Sequence, residues 1–157
     1  MNSNLVLSKV LRLVPVPAPS SVEEMVVRLW GRKGYNRLIP ELYHPDELGI
    51  GAPVDIYLFE LGADMSTRKA VRKLLSAGMR LVQPAHVFAL AEQYPHEQFD
   101  GDIVCLGAGK EGLIPWLCGY FRLFSPRSRD RYCRGQRQQY KKLKKGWRVM
   151  AVAGKEF

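Results

Sequence analysis

The chain has 157 residues, 46% hydrophobic and 25% charged, with 14 glycines and 10 prolines. This composition excludes a wholly disordered or collagenous chain, and the length suits one globular domain that needs no disulfide or metal staple. The net charge of +9 is unevenly placed: residues 1–109 carry 11 basic and 12 acidic side chains, residues 110–157 carry 13 and 3.

Residues 1–53 read as an N-terminal segment with one helix and a proline-rich linker. Leu5 to Val14 fits a strand or a short helix, and the run Pro15-Val-Pro-Ala-Pro19 breaks it. Ser20 or Ser21 can cap a helix with Glu23 and Glu24 in its first turn, where the helix dipole favours acids. Val22, Met25, Val26 and Leu29 share one face of that helix, and Gly31 and Gly34 end it. Pro40, Pro45 and Pro53 then make residues 35–53 irregular.

Residues 54–157 read as an α/β domain. Val54 to Phe59 alternates and is rich in strand formers. Ser66 or Thr67 caps the next helix, which places Ala70, Val71, Leu74 and Leu75 on one face and stops at Gly78. Met79 to Val82 is a short strand. Pro84 opens a second helix with Val87, Phe88, Leu90 and Ala91 inward, and Pro95 ends it. Ile103 to Leu106 is a third strand. The strands recur at crossover length, which predicts parallel neighbours joined by right-handed connections. Leu113 to Phe124 and Trp147 to Val152 read as further strands that close the sheet as a hairpin or an added edge, with a basic insertion at 125–146 between them. The expected fold class is α/β: a small three-layer sheet with two crossover helices and a C-terminal β extension carrying a long basic loop.

The run G-M-R-L-V-Q-P-A-H-V-F-A-L-A-E-Q-Y-P, followed by D-I-V-C-L-G, G-L-I-P-W-L and W-R-V-M-A-V, resembles a recurrent type of short bacterial protein of unassigned activity. Those proteins show a "G-x-R-P-A-x-x-x-x-L-A" helix and an "I-V-x-L-G" strand. The likeness covers about residues 55–107 and 147–152 and consists of structural positions, so it implies a fold and no functional residue. The insertion at 125–146 departs from the pattern.

Several motifs invite a chemical reading. Gly107-Ala-Gly109-Lys-Glu-Gly112 matches G-x-G-x-x-G after a strand. A dinucleotide fingerprint needs a helix next, and Pro115 stands in its way, so the run is expected to be a β-turn and no cofactor is expected. An acid–base site could form at the strand ends from Glu60, Asp64, His86, Lys110 and Glu111, with a neutral His86 in the first turn of its helix. His44 and His96, each beside a proline, are expected at the surface. Cys105, Cys118 and Cys133 are an odd set without a C-x-x-C pair, which supports neither zinc nor a disulfide framework and points to a reducing compartment. Lys9 and Arg12 interrupt the apolar N-terminal stretch, so no secretory signal is expected and the cytoplasm is the default.

The basic segment is the strongest signal. Arg127, Arg129, Arg131, Arg134, Arg137, Lys141, Lys142, Lys144 and Lys145 are opposed only by Asp130, with Tyr132, Tyr140 and Trp147 interleaved. Cations of this kind bind phosphates and aromatics stack on unpaired bases, so the expected partner is nucleic acid, RNA ahead of duplex DNA. The alternatives are an acidic partner protein and a merely solvated loop. A membrane surface is not expected, because apolar anchors are few. Arg68, Lys69, Arg72 and Lys73 add cations to the start of a helix, against its dipole. Either Glu60 and Asp64 or a bound phosphate backbone would offset them.

Overall fold

The computed structural model describes residues 4–28, 42–110, 113–118, 121–124 and 142–154. These contain seven strands: β1 (Leu5–Leu13), β2 (Val54–Leu61), β3 (Met79–Leu81), β4 (Ile103–Val104), β5 (Ile114–Leu117), β6 (Phe121–Phe124) and β7 (Arg148–Ala153). Three α-helices accompany them: α1 (Val22–Arg28), α2 (Thr67–Ser76) and α3 (Pro84–Gln93).

All seven strands form one sheet in the order β1-β2-β7-β4-β5-β6, with β3 also on β7. Side chains alternate between its faces with period two. Ile56, Leu58, Ile103, Cys105, Met150 and Val152 pack in one core with α3, through Val87, Phe88, Leu90 and Ala91. Leu61, Val104, Leu106, Val149 and Ala151 pack in another with Ala70 and Leu74 of α2. The fold is α/β, and each of the two expected helices covers one face.

The strand directions correct the parallel reading. Among the described strands only β4 and β7 pair in parallel, and the other ladders are antiparallel. β2 and β3 do run the same way, since both lie antiparallel to β7, and α2 joins them as a crossover. But β7 stands between them. The second connection is not a crossover between parallel strands, because β3 is antiparallel and β4 parallel to β7. The reason lies in β7 itself. Expected as a closing hairpin or edge, it is the central strand, and Val149 to Val152 are all buried. An unbroken apolar run of this kind suits a strand covered on both faces.

β1 resolves the strand-or-helix ambiguity of Leu5 to Val14 and forms an edge of the same sheet against β2. A register shift between Leu7 and Lys9 interrupts this ladder. Beyond it, Tyr94 Oη donates to the Arg12 carbonyl at 2.7 Å, and the Gln93 amide bonds both the N–H and the C=O of Val14. A bulge and side-chain caps are both ways of blunting an edge.

The caps agree with the sequence. Ser21 Oγ accepts the Glu24 N–H, Ser66 Oγ accepts the Lys69 N–H, and Pro84 opens α3. Gly78 takes φ +81° after α2. Within those apolar faces Val22 and Leu75 are exposed, while Met25 and Leu74 are buried. The face of a short helix that reaches the core is narrower than the apolar stripe written in it.

Candidate nucleic-acid interface

The returning end of the basic segment is tied to the start of α2. Leu143 is fully buried among Leu61, Met65, Ala70 and Leu74. Its backbone forms a two-way bridge with Met65: the Met65 N–H donates to the Leu143 carbonyl at 3.0 Å, and the Leu143 N–H donates to the Met65 carbonyl at 2.6 Å. The Lys145 N–H donates to Asp64 Oδ1 at 2.8 Å. The Trp147 N–H donates to the Lys144 carbonyl at 3.0 Å, closing a turn with Gly146 at φ +92°, the positive value a type II turn requires at its third residue.

These bonds bring together two charge clusters some 70 positions apart in the chain. Lys142 and Lys145 are exposed and Lys144 half-buried, beside a helix start bearing exposed Arg68, Lys69 and Arg72. Among the described residues, no carboxylate forms a salt bridge with Arg68, Lys69 or Arg72. Asp64, expected to offset them, accepts a backbone N–H of the basic segment instead. Arg127, Arg129, Arg131, Tyr132, Arg134, Arg137, Tyr140 and Lys141 lie outside the described residues.

Trp147 follows directly on these lysines. Its ring is half-buried and lies against Trp116, centroids 5.5 Å apart and planes inclined by 34°. Trp116 is fixed by its Nε1–H donating to Asp102 Oδ2 at 3.0 Å. Burial pushes the Asp102 carboxyl above its ordinary range, against the Trp116 hydrogen bond and the Arg148 charge.

The acid–base candidates are engaged separately. Asp64 serves the Lys145 amide. His86 Nδ1 accepts the Gln83 N–H at 2.9 Å, capping α3. Burial, helped by the Arg80 charge, lowers its pKa and keeps it neutral. Lys110 Nζ pairs with Glu47 at 2.8 Å and sits over the Tyr43 ring. Glu60 is exposed on β2, and Glu111 lies outside the described residues. The G-x-G-x-x-G run begins as the expected turn: the Ala108 N–H donates to the Cys105 carbonyl, Gly107 has φ +94°, and Lys110 bridges Leu113 in antiparallel fashion rather than starting a helix. His44 and His96 are exposed as expected. Among the described residues, no three His, Cys, Asp or Glu side chains cluster as metal ligands, and no helix is long and apolar enough to cross a membrane.

Sequence reasoning missed one cluster. Arg148, almost fully buried, donates from Nη1 to Glu97 Oε2 at 2.7 Å and from Nη2 to the carbonyls of Glu97 and Gly101, both at 2.8 Å. Lys9 Nζ reaches the same carboxylate at 3.0 Å. Burial raises the Glu97 carboxyl, but the hydrogen bonds from Arg148 and Lys9 outweigh it and hold the group below the usual carboxylate range. The available signal was a lone arginine inside the apolar run W-R-V-M-A-V. No known family, curated protein or solved structure matches the chain.

Proposed function

We propose that the protein is a cytoplasmic nucleic-acid-binding protein that takes RNA ahead of duplex DNA. The surface is a composite of the α2 start and the basic segment, with Lys142, Lys144, Lys145, Arg68, Lys69 and Arg72 on phosphates. The observation that carries the reading is the Met65–Leu143 bridge, which gathers cations from two distant stretches at a helix start that disfavours them. A polyanion supplies the missing counter-charge, and each phosphate neutralised releases counterions.

The test is fluorescence anisotropy with labelled single-stranded RNA, duplex RNA and duplex DNA, from about 50 to about 300 mM salt. The reading expects affinity that falls steeply with salt, and a shallower slope in both R68Q/K69Q/R72Q and K142Q/K144Q/K145Q. Weak binding, equal in the wild type and both variants, would sink it.

A further inference from the structure

We infer that the Asp102–Trp116–Trp147 stack is a base-stacking platform that selects unpaired over paired nucleotides. This rests on the proposed nucleic-acid reading and specifies its substrate as a single-stranded segment. Three observations converge. Trp147 closes the turn that begins at Lys144, so the Cα atoms of a lysine and a tryptophan stand within about 7 Å at the two ends of one turn. A nucleotide likewise carries its phosphate and its base a short distance apart.

The ring is also held against a second one. Trp116 packs against Trp147 at 5.5 Å, and the Trp116 N–H is anchored on Asp102. Trp116 is nearly buried and Trp147 only half so, which leaves Trp147 the accessible member of the pair. An indole held in this way loses little conformational freedom when a base stacks on it. Finally, stacking tolerates any sequence but needs an exposed base face, which a continuous duplex hides inside its own stack. Trp147 is the binding residue here; Trp116 and Asp102 are positioning residues.

The experiment compares a mixed-sequence single-stranded RNA of about 12 nucleotides with its duplex, read by anisotropy and by tryptophan fluorescence. The proteins are the wild type, W147F, W147L and R68Q/K69Q/R72Q. Single strands are expected to bind more tightly than duplex and to quench tryptophan fluorescence. In W147L the single-strand affinity falls by about five-fold to a hundred-fold, the range of one base–aromatic stack, with duplex binding unchanged. W147F keeps a ring in the core, retains most of the affinity and loses the quench.

Equal binding of strand and duplex, with W147L matching the wild type, overturns the platform and leaves the basic surface standing. So does a quench that persists undiminished in W147F, an outcome readable even if W147L fails to fold. Loss of duplex and single-strand binding together in R68Q/K69Q/R72Q speaks to the basic surface alone. No binding of either nucleic acid by the wild type overturns both readings.

Discussion

Arg148 and Glu97 form a buried ion pair at 2.7 Å. Both are buried, and Arg148 serves one carboxylate oxygen and two carbonyls at once. Removing one partner of such a pair leaves the other charge buried and unpaired. Glu97→Gln is therefore expected to lower stability by about 3–5 kcal/mol in urea unfolding. Because the folded-state pKa of Glu97 is depressed, its contribution is present above the ordinary value of 4.5 and is lost as pH falls through the folded value. His86 obeys the same sign for a different reason. Its Nδ1 can accept the Gln83 N–H only while unprotonated. His86→Ala should cost about 1 kcal/mol well above pH 6.5, and the gap to wild type should close as pH falls below that value. Thermal melts across the acid range would check both slopes.

At the scale of elements, α2 is built against its own electrostatics. Arg68 and Lys69 stand in its first turn, and the pairs Arg68/Arg72 and Lys69/Lys73 repel at i,i+4. R68Q/K69Q/R72Q should thus stabilise the fold by a few tenths of a kcal/mol for each charge removed, seen as a higher melting temperature, while weakening nucleic-acid binding. A variant that loses both stability and binding would contradict this assignment. The turn after β4 makes a second local demand. A Cβ on Gly107 would overlap the Leu81 side chain and stand 2.8 Å from the Val82 carbonyl oxygen, at a backbone angle that side chains disfavour. Gly107→Ala should cost about 2–4 kcal/mol in denaturant unfolding. Gly107 therefore serves a turn and a close approach.

For the whole molecule, the central fact is a sheet with a core on each face, threaded by β7. The last of the described strands in chain order is the one that pairs with β2, β3 and β4, so the sheet is complete only when β7 is in place. The same strand sets the basic surface, because Leu143 is buried just before β7 begins. Leu143→Ala keeps every charge yet loosens the tie to Met65. It is expected to cost about 2–5 kcal/mol. At a temperature where circular dichroism shows it folded, it should bind RNA more weakly than wild type. Unchanged affinity there would mean that the two basic clusters act independently.

The sequence by itself determined most of the elements, with Leu5 to Val14 left between strand and helix and several strand ends set further out than the structure has them. Serine caps, Pro84, Gly78 and the period-two strands are local signals, and each acts through its own few residues. It also determined the charge asymmetry and the turn at Gly107. Strand order and direction were legible only in part, because crossover spacing says that a helix intervenes but not which strand lies between. The tertiary structure alone decided that β7 is central, that Arg148 meets Glu97, and that the lysines after Lys141 stand beside Arg68 and Lys69. Each of these joins residues dozens of positions apart, and burial on both faces of one strand is what selects that pairing.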